Sequence, residues 1–236
     1  DEAAQVPQWR YLGARQAQWP QADFIVGNPP FIGKLKMREA LGDGYVEALR
    51  ATWPSVPDSA DFVMYWWAHA AALVGAGQCE RMGLITTNSL TMVFNRRVVQ
   101  AALEGADNGP VHLDFAVADH PWVDGVNGAA VRIAMTVAAP GTGEGRLLAV
   151  THETTGEYGE VDVETSEETG LIHADLSIGA DFGLAIKLLA NQFLSTTGVI
   201  PHGSGMLLTP EQAAQVGLGA IPNLERHIRP YRNGKD

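Results

Sequence analysis

The strongest constraint on this chain is a stretch of nine residues, DFIVGNPPF, at positions 23–31. Phe24, Ile25 and Val26 form a short apolar run of the kind that fills a strand covered on both faces of a sheet. Gly27 permits a close backbone approach, and Pro29 drives Asn28 away from helical backbone into an extended conformation. Neither Pro29 nor Pro30 has an N–H to donate, so their carbonyls project from a stiff, extended turn. A strand that ends this way holds one carboxamide, one carbonyl and the ring of Phe31 in fixed relative positions. Two prolines alone would only stop a strand, with Phe31 packing into a core. With Asn28 before them and Phe31 behind, the turn reads as a site.

The pattern downstream places that turn on a sheet edge. A charged, partly helical segment runs to Trp53, interrupted by Gly42-Asp43-Gly44. Asp58 or Ser59 is suited to cap a helix carrying Phe62, Tyr65, Trp66 and Trp67 and ending near residues 75–77. That aromatic stripe reads as core packing. RMGLITTNS at 81–89 is a second apolar run ending in polar residues, followed by a helix over 93–103. Strand, helix, strand, helix predicts a parallel α/β sheet, with residues 28–31 and 86–89 at the C-terminal ends of neighbouring strands, where open sheets bind ligands. Val111, Leu113, Phe115 and Val117 alternate, as do Val131, Ile133, Met135 and Val137, and predict a closing antiparallel pair around the loop HPWVDGVNG. Residues 145–151 add one more strand. An acidic excursion covers about 140–175, with 152–175 read as exposed, and a helix is expected over 182–194. Thr209-Pro210-Glu211-Gln212 has the form of a capped helix start. The expected division is a first domain over 1–200 and a junction leading into a second over 201–236.

Composition narrows the chemistry. A single cysteine, Cys79, allows neither an internal disulfide nor a thiolate metal cluster and suits a reducing cytoplasm. The seven histidines show no pair at metal-ligand spacing, so no metal is expected. Nothing resembles a signal peptide or a membrane span, because the apolar stretch at 62–74 is short and broken by His69. The net charge of −11, taken alone, argues against a nucleic-acid partner. Its distribution does not, since Arg146 is the only Lys or Arg between residues 144 and 181. Lys34, Lys36, Arg96 and Arg97 are candidate phosphate contacts, weighed against ordinary surface charge, and more basic residues gather at Arg226, Arg229, Arg232 and Lys235.

The turn suits one reaction in particular. An aromatic amine such as that of adenine is a poor nucleophile, because its lone pair is delocalised into the ring. Two acceptors placed on its two N–H bonds favour a pyramidal nitrogen and stabilise the positive charge that develops as it attacks. The Asn28 side-chain oxygen and the Pro29 carbonyl are suited to be those acceptors, and the Phe31 ring to stack on the base. No general base of tuned pKa is needed.

NPPF after an apolar strand resembles motif IV of the S-adenosylmethionine-dependent amino-methyltransferases. GLITTNSL, PWVDGVNGAAVRIAM and IRPYRNGKD resemble the DNA adenine-N6 methyltransferase part of fused, MmeI-like restriction-modification enzymes, least clearly over 140–200. The resemblance implies part of a Rossmann-like class I methyltransferase sheet, double-stranded DNA as partner, and S-adenosylmethionine as cofactor. Asn28, Pro29, Pro30 and Phe31 would be its catalytic motif, and a flipped adenine its target, with Trp122 a candidate for the base's second face. It also implies a glycine-rich cofactor turn ahead of NPPF, and residues 1–22 contain none, so no cofactor-binding residue is assigned. The expectation is a piece of a larger protein, inactive alone, that pairs with a missing N-terminal half or with its own copy. Two other readings stand beside it. One is methylation of a protein glutamine or of RNA, and the other is a non-catalytic DNA-binding or scaffold piece.

Overall fold

The structure is a computed structural model that describes residues 9–106, 108–122, 131–156, 161–181, 188–191, 194 and 204–231. The chain divides into two units, Asp1–Ala185 and Ile186–Asp236. The expected boundary near residue 200 lies outside the described residues.

In the first unit the apolar and alternating runs become six strands: β1 (Phe24–Gly27), β2 (Arg81–Thr87), β3 (Val111–Trp122), β4 (Val131–Pro140), β5 (Gly145–Thr155) and β6 (Val161–Gly170). They form one sheet in the order β1-β2-β4-β3-β5-β6. β1 and β2 are parallel, with Phe24 opposite Arg81 and Gly27 opposite Leu84. β4 then inserts antiparallel between β2 and β3, which brings the predicted closing pair into register. β5 lies parallel to β3 and turns back as an antiparallel hairpin with β6.

The crossover from β1 to β2 carries α1 (Met37–Leu41), α2 (Asp43–Thr52) and α3 (Val63–Gly75), and α4 (Val93–Leu103) links β2 to β3. The break between α1 and α2 falls at Gly42, whose φ of 81° is left-handed and favours glycine. α3 is apolar around most of its circumference and accordingly buries Val63, Met64, Tyr65, Trp67, Ala70, Ala71 and Val74. Trp67 is fully buried, and its indole N–H donates to Thr136 Oγ1 on β4 at 3.1 Å. At the far end of α3, a Cβ on Gly75 would lie 2.5 Å from the Gly109 carbonyl oxygen, so only glycine lets the helix approach the chain entering β3.

The structure departs from expectation in three places. β1 is not covered on both faces, because among the described residues its only strand neighbour is β2 and nothing covers its second face. Phe24 is 57% exposed and Val26 85%, while Ile25 packs on the core. α3 starts without a side-chain cap at Phe62 and uses neither Asp58 nor Ser59. The acidic segment is a β-hairpin with a largely exposed face, and the chain after it returns to the core, burying Ile172, Ala174 and Leu176. Most of the helix expected over 182–194 lies outside the described residues; within the described part, Leu189–Asn191 is a 3-10 turn. In the second unit, α5 (Pro210–Gln215) begins with the predicted capping box between Thr209 and Gln212. No described helix is long and apolar enough to cross a membrane.

Candidate functional site

The parallel register brings the ends of β1 and β2 together. Gly27 is opposite Leu84, and β2 runs on to Thr87 past the point where the Asn28 turn leaves the sheet. Asn28 is exposed, and its carboxamide has no hydrogen-bond partner among the described residues. Pro29 is buried and Pro30 exposed. The Pro30 carbonyl accepts from the Ile32 N–H at 3.2 Å, whereas that of Pro29 has no backbone donor among the described residues. Two unpaired acceptors, the Asn28 amide oxygen and the Pro29 carbonyl, are therefore adjacent in a turn of fixed geometry. Phe31 is half-buried and packs against the core.

The loop behind the turn is latched. Ile32 O accepts from the Phe62 N–H at 2.9 Å, and Asp61 Oδ1 accepts from the Lys34 N–H at 2.9 Å. Asp61 Oδ2 accepts from Ser89 Oγ at 2.7 Å and from Asn95 Nδ2 at 2.8 Å, while the Asp61 N–H donates to Asn95 Oδ1 at 2.8 Å. Asn95 is 4% exposed and also donates to Ser89 O at 2.9 Å. Asp61 and Asn95 were not among the sequence candidates. The available signal was a polar residue at 95 sharing the buried helix face of Val98 and Val99.

The basic candidates divide. Lys34 Nζ lies 4.8 Å from the centre of the Phe94 ring and the Arg97 guanidinium 5.5 Å from it, so one exposed ring gathers a cation from the turn's loop and another from α4. Lys36 is exposed and Arg96 half-buried. Among the described residues none of these four has a carboxylate partner, whereas Arg38, Arg50, Arg81, Arg132 and Arg146 all face one.

Trp122 ends β3, is 38% exposed, and pairs in register with Val131 across a loop whose residues 123–130 lie outside those described. It is not in ring contact with Phe31. The stem of that loop is held by Arg132, which donates to Asp119 Oδ1 at 2.6 Å and to Glu153 Oε1 at 2.7 Å. These bonds hold the Glu153 carboxyl below its usual range and raise the Arg132 pKa further, Glu153 contributing most. Asn88 Nδ2 donates to the same Asp119 oxygen at 3.1 Å. Among the described residues no group of His, Cys, Asp and Glu is placed to hold a metal ion.

Solved structures similar to the chain include two restriction-modification proteins. The Type IIL restriction-modification enzyme MmeI in complex with DNA matches at 23% identity and a TM-score of 0.49, over 67% of this chain and 20% of that one. A modification subunit assigned to a type I restriction enzyme from Vibrio vulnificus YJ016 matches at 17% identity and a TM-score of 0.38, over 55% of this chain and 25% of that one. The chain thus spans a quarter or less of the length of these relatives. No curated protein matches it. The family described as "MmeI, DNA-methyltransferase domain" matches residues 2–148, a range that holds the NPPF turn, the turn after β2, α4 and Trp122. By that match, which spans more than half of its length, the chain belongs to the MmeI DNA-methyltransferase domain family.

Proposed function

We propose that this chain carries the amine-binding half of a DNA methyltransferase of a restriction-modification protein, one that uses S-adenosylmethionine to methylate N6 of adenine within a specific sequence. The observation that carries the reading is the pair of unpaired acceptors, Asn28 Oδ1 and Pro29 O, in a turn latched from behind through Ile32 and Lys34.

An exocyclic amine placed there donates one N–H to each acceptor. Its lone pair is drawn out of conjugation with the ring, and the positive charge that grows on nitrogen meets two oxygen dipoles already in place. The proton leaves after transfer, when the nitrogen is strongly acidic, so a histidine or carboxylate base is not required. Such an amine is out of reach inside a duplex, so the base must be extruded. Unstacking costs a few kcal/mol, and stacking on an aromatic side chain returns about 1–3 kcal/mol per base. Phe31 supplies one such face, and Trp122 is the candidate for the other. Lys34, Lys36, Arg96 and Arg97, without a carboxylate partner among the described residues, are assigned to backbone phosphates, with Lys34 and Arg97 spaced by Phe94.

Residues 9–23 ahead of β1 form neither helix nor strand, and no glycine-rich turn opens a helix there. The donor's site is therefore assigned to no residue of this chain, and the chain alone is expected to transfer no methyl group.

The test uses the full-length protein with tritiated S-adenosylmethionine and duplex DNA of mixed sequence, comparing wild type with Asn28→Ala, followed by digestion and identification of the labelled base. Label on N6-methyladenine that falls on the order of a hundredfold or more in the variant supports the assignment, by analogy with loss of one preorganised dipole. Label on cytosine, or none on DNA while binding persists, overturns it.

A further inference from the structure

Two hydrogen-bond networks meet at consecutive residues of the turn that ends β2. On one side, Ser89 Oγ donates to Asp61 Oδ2 at 2.7 Å, and the other oxygen of that carboxylate holds the Lys34 N–H at 2.9 Å, directly behind the NPPF turn. Thr87 Oγ1 lies against Ser89 Oγ and donates to it, since the Ser89 proton is committed to Asp61. On the other side, Asn88 Nδ2 donates to Asp119 Oδ1 at 3.1 Å. Asp119 is also gripped by Arg132, which follows Val131, the residue opposite Trp122. The turn between them is itself rigid, because Thr91 Oγ1 donates to Asn88 O at 3.0 Å and the Met92 N–H to Ser89 O at 2.9 Å. The two networks share no atom, and each leads to a different candidate wall of the base site.

We infer that Asn88 and Ser89 are positioning residues that set the spacing between the amine-holding turn and the stem of the Trp122 loop. The inference rests on the reading of Asn28, Pro29 and Trp122 given above. Neither residue touches the base. Ser89 acts through Asp61 on the backbone of Lys34, and Asn88 acts through Asp119 and Arg132 on the strand pair that carries Trp122. A target base has to meet both walls at once, so releasing either one misplaces the amine relative to its partners. A misplacement of about 1 Å costs on the order of a hundredfold in rate.

The experiment uses the full-length protein with Ser89→Ala, Ser89→Thr, Asn88→Ala and the double alanine variant, and Asn28→Ala as reference. Duplex DNA carries 2-aminopurine in place of the target adenine for the binding assay, so that its fluorescence reports how the extruded base is stacked. Methyl transfer is measured on unmodified DNA, well below each variant's thermal midpoint. The expected result has three parts. The two single alanine variants lose on the order of tenfold to a hundredfold in kcat, with KM for the methyl donor unchanged. Their 2-aminopurine signal is altered, and Ser89→Thr, which keeps the hydroxyl, recovers the rate. Wild-type kcat and 2-aminopurine signal in Asn88→Ala and Ser89→Ala, with Asn28→Ala inactive, overturns the inference alone. So does a loss that vanishes on cooling, which would mark a purely structural role. Full activity of Asn28→Ala overturns the site reading and the inference with it.

Discussion

The contact between Trp67 and Thr136 joins α3 to β4, the strand inserted in the middle of the sheet, and its contribution can be isolated. Thr136 is 1% exposed and Trp67 fully buried, with 3.1 Å between indole nitrogen and hydroxyl. Thr136→Val keeps the shape and removes the acceptor, leaving a buried N–H without a partner at a cost of about 1–3 kcal/mol. Thr136→Ser keeps the acceptor and removes one buried methyl, a change of about 0.5–1.5 kcal/mol by comparison with Ile→Val. Strand preference works against this order, because Val is favoured over Ser, but the whole scale spans only about 1 kcal/mol. For a chain of this length each kcal/mol moves the thermal midpoint by about 2–4 °C. Taking about 2 kcal/mol for the lost acceptor, Thr136→Val lowers the midpoint by roughly 4–8 °C. Thr136→Ser lowers it by less. Far-UV circular dichroism on heating and in urea gives both values, and the cycle with Trp67→Phe should show a coupling of about 1 kcal/mol. If Thr136→Val proves as stable as Thr136→Ser, packing volume governs the site and the hydrogen bond contributes nothing to hold β4 under α3.

Lys34→Ala and Arg97→Ala should each weaken DNA binding by the full-length protein across all sequences and reduce the slope of log Kobs against log salt by about 0.9. A titration with unchanged slope removes them from the phosphate contacts. His69 sits 4.2 Å from Trp19 and 5.2 Å from Trp53, centre to centre, and burial lowers its pKa below the ordinary 6.5. The unfolded chain therefore takes up this proton first, so the contribution to stability is intact above 6.5 and lost as the pH falls below it. Melting from pH 7 down to about pH 5 should show a decline that His69→Gln flattens. Thr209→Ala removes the acceptor of the Gln212 N–H while the backbone N–H at 209 keeps its bond to Gln212 Oε1, and should destabilise α5 by about 1 kcal/mol, seen as faster amide exchange in Pro210–Gln215.

The elements that sequence makes legible are those whose signal is local. Alternation at 111–117 and 131–137 announces two strands, and Thr209-Pro210-Glu211-Gln212 announces a cap, because each rests on neighbours a few residues away. The same run that marks β1 as a strand misstates its surroundings. Phe24 and Val26 are apolar, yet apolarity says only that a cover is wanted, and none of the described residues provides it. Nor does alternation say that β4 lies between β2 and β3 rather than beyond them, since strand order is decided by crossovers and not by the period of side chains. At the site, NPPF is visible because proline and asparagine restrict their own backbone. The latch behind it is not, because Asp61 and Asn95 are far apart in sequence and meet only when α3 and α4 pack. Lys34 and Arg97 could be suspected singly, but their shared ring at Phe94 emerges only with the fold.

The insertion of β4 also dictates an order of events during synthesis. Met82 finds its neighbour at Ala138, and β3, although made first, has no place beside β2 because β4 fills it. A growing chain that has just completed β3 therefore holds a parallel β1–β2 pair and a loose strand. β2 gains its second neighbour only when residues through Pro140 have emerged, and the bonds from Asn88 to Asp119 and on to Arg132 form at that same step. On the ribosome the two walls proposed for the base would thus stay apart until β4 is made, and the interval before it pairs is when β2 is most open to a foreign strand.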